Sequence, residues 1–110
     1  MSPRTEQIAR LNDQLRATFL TGKVVMTEGI AALPAYKRVE IATRVRDFRD
    51  FTPDNDPHGE CDFGAFEVED AGRIFWKIDY YDPGYEGHSE DASDPVITRR
   101  VLTIMLAREY

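Results

Sequence analysis

Apolar residues recur at helical spacing near the start of the chain. Four of them lie three or four residues apart: Ile8, Leu11, Leu15 and Phe19. This spacing places them on one face of a helix that packs on the core. Ser2 before Pro3 is a typical helix start, because serine caps unpaired backbone N–H groups and proline suits the first turn. Thr21-Gly22 predicts the end of this helix.

The next apolar run, Lys23 to Thr27, is short and rich in residues that favour strands, and it predicts a strand. Ile30 to Leu33 fits either a second short strand or the lead-in to a helix, because four residues are too few to show a period. Pro34 favours a helix start. An apolar stripe at helical spacing follows it: Ile41, Val45 and Phe48.

A hairpin is predicted where Cys61 to Glu69 and Arg73 to Tyr81 flank Asp70-Ala71-Gly72. A three-residue connection with glycine in the left-handed position joins such strands. It predicts a register with one uniformly apolar face, in which the pairs are Val68 with Ile74, Phe66 with Trp76, and Gly64 with Ile78. The opposite face mixes aromatic and charged residues, and it is either covered or exposed and used: Phe63, Ala65, Glu67, Phe75, Lys77, Asp79 and Tyr81.

The last apolar segment follows Asp94-Pro95, which is typical of a cap and a first helical residue. It predicts the most apolar helix of the chain, through Ile97, Val101, Ile104 and Met105. The order is then helix, strand, helix, hairpin, helix. The sequence therefore predicts a single α+β domain over residues 1–110, with a small antiparallel sheet of about three strands packed against helices.

The composition supports a self-sufficient globular fold, since 42% of the 110 residues are hydrophobic. Charged residues interrupt the first turns, and no run approaches the roughly 18 apolar residues of a membrane span, so we expect neither a signal peptide nor a membrane segment. The single cysteine, Cys61, excludes an internal disulfide and suits a reducing compartment. We therefore expect a cytoplasmic protein.

The net charge of −6 is unevenly distributed. Residues 1–50 hold nine Lys and Arg against six Asp and Glu, a balance of +3, whereas residues 51–110 hold five against fourteen, a balance of −9. Direct nucleic-acid binding requires a basic surface, so the acidic half argues against it. It suits a cation site or docking onto a basic protein.

The loop from Phe51 to Glu60 and the strand after it contain five acidic or imidazole side chains, each two residues from the next: Asp54, Asp56, His58, Glu60 and Asp62. This spacing resembles the start of a calcium-binding loop. The twelfth position of that loop would be Ala65 instead of a bidentate glutamate, and Pro57 interrupts it. An EF-hand is therefore rejected.

A looser divalent-metal site is the alternative, because imidazole, thiolate and carboxylate ligands together suit zinc. Its candidates are His58, Cys61, Asp62, Asp79, Asp82 and His88. No pair of them has a diagnostic spacing, so no cofactor is required. The competing interpretation is that Asp54 and Asp56 form side-chain-to-backbone turns while the other acids are solvated.

An enzyme is less favoured than a binding protein. Either histidine could act as a general base beside a carboxylate. However, the chain has no nucleophile elbow, no phosphate-binding glycine loop and no zinc-protease helix. The strand end Asp79-Tyr80-Tyr81-Asp82, with Tyr85 after it, instead suits a protein interface, because tyrosine offers contact area with a polar tip. The mixed aromatic and charged face of the hairpin could instead form the interface of a homodimer.

Several longer stretches resemble one family. They are Asn55-Asp56-Pro57-His58-Gly59-Glu60, Asp62-Phe63-Gly64, the run from Trp76 to Asp82 and the run from Thr98 to Ala107. Over Asn12 to Tyr110 the chain is similar to domain-of-unknown-function family three-seven-six-eight. The resemblance implies no activity, but it implies a self-contained fold and an alphaproteobacterial plasmid or mobile-element setting. Histidine is usual in the family where this chain has Cys61, which weakens a histidine-based metal site.

In such a setting a small acidic protein could inhibit a host nuclease or regulator, with its carboxylates standing in for phosphates. A metal-dependent hydrolase that uses the acidic loops is the alternative function. The two hypotheses differ in one structural expectation. The enzyme requires the two loops to bring a histidine and at least two carboxylates within ligand distance, whereas the binding protein requires exposed, spread carboxylates.

Overall fold

The computed structural model describes residues 2–110 and shows a mixed α+β fold. Its elements are α1 (Pro3–Thr18), β1 (Lys23–Met26), α2 (Glu28–Ala31), α3 (Ala35–Arg46), β2 (Phe63–Val68), β3 (Gly72–Tyr81), β4 (Arg99–Leu106) and a 3-10 helix (Ala107–Glu109). The predicted α+β class is confirmed. Within the described residues no helix is both long enough and apolar enough to cross a membrane.

The sheet has four strands in the order β1-β4-β3-β2. β3 is antiparallel to β2 and β4, whereas β1 runs parallel to β4. The prediction of three antiparallel strands is therefore wrong in strand number and in the direction of β1. A parallel partner for β1 is reached only through the long connection from residue 27 to residue 98, which no local pattern reveals.

The predicted C-terminal helix is wrong, because Arg99–Leu106 forms β4 between β1 and β3. Leu102 and Ile104 are fully buried on one face, and Val101 and Thr103 are half-buried on the other. A strand inside a sheet is apolar on both faces, so its sequence is a nearly continuous apolar run that periodicity cannot distinguish from a buried helix. Asp94 caps a turn by accepting from the backbone N–H of Val96 at 2.9 Å.

Helix α1 begins as predicted, with the Ser2 hydroxyl accepting from the backbone N–H of Thr5 at 3.1 Å. It ends earlier than predicted, at Thr18, because Phe19 takes the left-handed conformation with φ 59°. Gly22 lies beyond the end of the helix, and a close contact with β4 requires glycine there. A Cβ there would lie 2.6 Å from the carbonyl oxygen of Arg100.

The segment Ile30 to Leu33, left open between strand and helix by the sequence, belongs to the short helix α2 and the turn after it. Helix α3 follows Pro34 as predicted and buries Ile41 and Val45. Together α1 and α3 cover the even-numbered face of the sheet. The centre of that core is fully buried: Ile8, Leu15, Ile41, Val45, Ile74, Trp76, Leu102 and Ile104.

The hairpin forms, and its predicted register is wrong by two residues. Phe66 pairs with Ile74, Gly64 with Trp76, and Val68 with Gly72. A shift of two keeps every side chain on its predicted face, because side chains alternate with period two. The reason lies in Gly64, since a Cβ there would be 2.3 Å from Nε1 of the buried Trp76. The indole therefore lies over the one position in β2 that has no side chain.

Candidate functional site

The two acidic loops meet at one end of the sheet. Residues 49–62 lead into the start of β2, and residues 82–98 connect the end of β3 to the start of β4. Because β3 is antiparallel to both neighbours, the start of β2, the end of β3 and the start of β4 lie at the same end of the sheet. We call these two loops the acidic end.

The acidic end carries more negative charge than the whole protein. Residues 49–62 hold five acids and one arginine, a charge of −4, and residues 82–98 hold five acids without Lys or Arg, a charge of −5. The acidic end thus carries −9, and the rest of the chain balances to +3 against the total of −6. The excess negative charge of the sequence therefore lies at one end of the folded protein.

Some of these carboxylates shape the loops. Asp56 accepts from the backbone N–H groups of Glu60 and Cys61 at 3.1 and 3.2 Å. Asp82 accepts from Gly84 and Glu86 in the same way, at 3.1 and 3.0 Å. These are side-chain-to-backbone turns of the kind that aspartate favours. The prediction of such turns holds for Asp56, whereas the side chain of Asp54 makes no such bond and is exposed.

Five other carboxylates of the acidic end accept no hydrogen bond from another residue within residues 2–110 and form no ion pair there: Asp50, Asp54, Asp62, Glu86 and Glu90. All are exposed except the half-buried Asp62. Burial and the neighbouring Glu60 carboxylate raise the pKa of Asp62. This set leaves the acidic end with uncompensated charge that faces solvent.

A buried polar network attaches both loops to the core. Asn12 on α1 is fully buried, and its amide donates to the backbone carbonyl of Glu60 at 3.0 Å and to the hydroxyl of Tyr80 at 2.8 Å. Tyr80 in turn donates to the carboxylate of Glu60 at 2.9 Å. The first loop is therefore fixed by side chains of α1 and β3 together.

The second loop is fixed through Arg100 of β4. Its Nε donates to the side-chain oxygen of Asn12 at 2.8 Å, and another of its nitrogens donates to the backbone carbonyl of Ala92. Burial lowers the pKa of Arg100 and raises that of Tyr80 above its ordinary range. Since α1, β3 and β4 all bond the two loops through this network, the acidic end is held in a defined shape.

Sequence reasoning missed Asn12, Arg16 and Arg100. Asn12 and Arg16 lie one turn apart on the same face of α1 as Ile8 and Leu15, and both are buried. A polar residue inside an apolar stripe is the available signal, because such a residue must find hydrogen-bond partners in the core. Arg100 carries no such signal, because the pattern of its segment predicts a helix instead of the strand β4.

The six candidate metal ligands do not assemble into a site. Asp62 lies opposite Ile78, whose backbone N–H donates to its carbonyl, and it therefore shares the even-numbered face of the sheet with Ile78. Asp79 follows Ile78 in β3 and lies on the opposite face. The Nδ1–H of His88 donates to the backbone carbonyl of Ser89 at 3.1 Å, and the imidazole lies edge-on to the ring of Tyr80. His58 is exposed in the first loop. Throughout residues 2–110, no three His, Cys, Asp or Glu side chains are placed to hold a metal ion.

Cys61 is also poorly suited to metal binding or nucleophilic chemistry. Burial raises the pKa of its thiol to about 11, and the carboxylates of Asp13 and Asp56 add to the effect. The thiolate is the form that binds metals and reacts. The thiol is therefore protonated at neutral pH.

This state of Cys61 has a measurable consequence. At pH 8 a shift from 9.0 to about 11 lowers the thiolate fraction about 100-fold, so native protein is expected to react with iodoacetamide far more slowly than protein in urea. Mass spectrometry of timed samples measures both rates. The Asp13→Asn variant should react faster than wild type in the native state. Equal rates in the native and urea-unfolded protein would refute the shift.

The odd-numbered face of the sheet is only partly covered. Lys77 and Asp79 form an ion pair of 2.9 Å on it, and the hydrogen bond to Asp79 raises the pKa of Lys77. Tyr110 packs edge-on against Phe63 and Phe75 at 6.1 and 5.5 Å between ring centroids. The remaining predicted members, Ala65, Glu67 and Tyr81, are half-buried or exposed.

Tyr81 connects this face with the acidic end. Its ring lies 6.1 Å from that of Tyr85, which is exposed in the second acidic loop. Lys23 of β1 caps the ring of Tyr85 at 4.0 Å. Aromatic side chains therefore border the acidic end where it meets the sheet.

Comparison with known proteins identifies a family and no relative of established activity. A family model with the description "Protein of unknown function (DUF3768)" matches residues 26–109. Neither the curated proteins nor the solved structures contain a match. The chain belongs to the DUF3768 family, as the sequence resemblance predicted.

Proposed function

We propose that the chain, as a member of this family, is a non-enzymatic binding protein that docks its acidic end onto a basic surface of a nucleic-acid-handling protein. The observation that carries this proposal is the charge of −9 collected in two loops at one end of the sheet. Carboxylates in this role substitute for the phosphates that the target binds. In a mobile-element setting, the target would be a host nuclease or regulator.

The geometry favours contact over catalysis. The five carboxylates without partners are spread over both loops, as a binding surface requires. The network around Asn12 holds those loops in place, so little conformational entropy is lost when a partner binds. Tyr81 and Tyr85 at the border supply the aromatic contact area that is common in the centre of interfaces.

The proposal predicts that neutralising the acidic end abolishes capture of the target. We expect the triple variant Asp54→Asn, Glu86→Gln, Glu90→Gln to bind at least about tenfold more weakly than wild type, because charged contacts dominate such interfaces. The measurement uses immobilised protein and nuclease-treated lysate of the host bacterium, with captured proteins identified by mass spectrometry. Binding should weaken as salt increases, since salt screens exposed charges.

A matched control separates this surface from overall charge. The variant Glu28→Gln, Glu69→Gln, Asp70→Asn removes the same number of exposed carboxylates outside the two loops and should bind like wild type. Double-stranded DNA should displace the target from the column. Three results would each contradict the proposal: equal retention by the two variants, no displacement by DNA, or a target that does not handle nucleic acid.

A further inference from the structure

A pocket of about 190 Å³ lies between α1 and the segment that follows α3, outside the network around Asn12. Its walls are Asp13, Arg16, Arg46, Arg49, Phe51 and Cys61. Three guanidinium groups and a single carboxylate therefore surround one small space in a protein whose net charge is −6. We call it the arginine pocket.

Only one of the three arginines is neutralised. Asp13 accepts from Arg16 at 2.7 Å, and Arg16 also donates to the backbone carbonyls of Val45 and Phe48 at 3.0 Å each. Within residues 2–110, neither Arg46 nor Arg49 has a carboxylate within ion-pair distance. The arginine pocket therefore has two positive charges without a counter-charge.

These two arginines also keep donors available. Arg49 uses one nitrogen to bond the backbone carbonyls of Arg46 and Phe48, at 3.2 and 2.8 Å. The guanidinium of Arg46 stacks over the ring of Phe19 at 4.4 Å and makes no hydrogen bond with another described residue. Stacking fixes the plane of a guanidinium while leaving its edge for an oxyanion, which it binds through two parallel N–H groups.

Arg16 is the buried arginine of the pocket. Arg16 is only 2% exposed, and its guanidinium lies 4.8 Å from the ring of Trp76 and 5.2 Å from that of Phe51. Its Nε is buried without a hydrogen-bond partner in the described chain. An unpaired buried donor on a charged group is unusual in a folded protein, and an anion bound nearby would stabilise that charge.

A larger groove adjoins the pocket. It has a volume of about 600 Å³, and it shares Phe51 and Cys61 with the arginine pocket. Ala9, Pro53 and Pro57 contribute further apolar walls. The rest of the lining is polar or glycine: Thr52, Asp56, His58 and Gly59. A site that joins an apolar groove to a few convergent charged donors is the usual form of a small-molecule site.

We infer that the arginine pocket binds the phosphate or carboxylate group of a small molecule whose flat apolar body lies in the adjoining groove. Arg46 and Arg49 hold the oxyanion, and Phe51 contacts the body. Arg49, Phe51 and Cys61 belong to the first loop of the acidic end. The inference is nevertheless distinct from the proposed function, because arginines bind a small anion here, whereas the exposed carboxylates bind a basic protein there.

The test uses isothermal titration of the full chain with phenyl phosphate, benzoate and inorganic phosphate. Phenyl phosphate or benzoate should bind measurably, and the double variant Arg46→Gln, Arg49→Gln should bind it at least about tenfold more weakly, since each bidentate contact is charge-assisted. The control Lys23→Gln, Arg108→Gln removes two exposed positive charges elsewhere and should bind like wild type. Circular dichroism of both variants checks that they are folded.

A second readout locates the ligand. Because Cys61 borders both spaces, the bound probe should slow alkylation of Cys61 in wild type and leave it unchanged in the Arg46/Arg49 variant. No binding of phenyl phosphate or benzoate at millimolar concentration, or equal binding by the arginine variant, would overturn the inference. Inorganic phosphate that binds as tightly as phenyl phosphate would overturn the part assigned to the groove.

Discussion

Gly64→Ala is expected to lower the free energy of unfolding by about 3 kcal/mol, near the upper end of the usual cost of overpacking a core. The added Cβ would lie 2.3 Å from Nε1 and 2.6 Å from Cε2 of Trp76. The indole is fully buried, with the rings of Phe48 and Phe51 edge-on at 5.6 and 6.1 Å and Arg16 over its face. The indole therefore cannot shift away from the new Cβ without displacing these neighbours.

Urea unfolding followed by the fluorescence of Trp76, the one tryptophan of the chain, measures this loss. Gly84→Ala is the control, because its new Cβ would meet no atom closer than 3.4 Å and the change should stay within about 0.5 kcal/mol. If the two variants were equally stable, the contact between Gly64 and Trp76 would not determine the hairpin register.

Asn12→Leu is expected to cost about 3 kcal/mol, because it leaves several buried polar groups without partners. The backbone carbonyl of Glu60 loses its donor, and the Nε of Arg100 loses its acceptor. The second loss is the more costly, since an unpaired donor on a buried charge keeps its full desolvation penalty.

The same substitution should loosen the acidic end. Hydrogen exchange measured by mass spectrometry is expected to accelerate in residues 57–62 and 88–93, which the network attaches to the core, because local opening becomes easier there. Gln14→Leu is a suitable control, since Gln14 is exposed on the same helix. Unchanged exchange in both loops, with stability within about 0.5 kcal/mol of wild type, would show that the network does not hold the loops.

These two variants also bear on function. If the acidic end binds a target as a preformed surface, Asn12→Leu should weaken capture without removing any exposed carboxylate. Gly64→Ala leaves Asn12 and its hydrogen-bond partners unchanged and should weaken capture only in proportion to the fraction of unfolded protein. Comparing the two separates the shape of the acidic end from overall stability.

Part of the candidate site could be predicted from the sequence. The loops around Asp56 and Asp82 follow from proline, glycine and aspartate chemistry, which acts within a few residues. That both loops lie at the same end of the sheet follows from the predicted hairpin, because its antiparallel strands place the start of β2 beside the end of β3. How the second loop returns to the core could not be predicted, because that depends on β4 being a strand beside β3. Asp62 and Asp79 lie on opposite faces because side chains alternate along a strand. The predicted hairpin already placed them on opposite faces.

The elements that could be predicted from the sequence are those that depend on short-range interactions. The start of α1 at Ser2, the helix after Pro34, the hairpin around Asp70 and the two-faced character of its strands are all encoded within windows of a few residues. Each depends on capping, on proline geometry or on side-chain alternation. The excess of acid after Phe51 is likewise a property of the sequence alone.

Features that depend on residues far apart in the chain became evident only in the folded structure. The segment Arg99–Leu106 is a strand because β1 and β3 supply backbone partners on both sides, and no local period marks it. Asn12 is buried because Glu60, Tyr80 and Arg100 satisfy its amide from 48 to 88 residues away. The hairpin places the two acidic loops at the same end of the sheet, and these distant contacts fix them there as one surface.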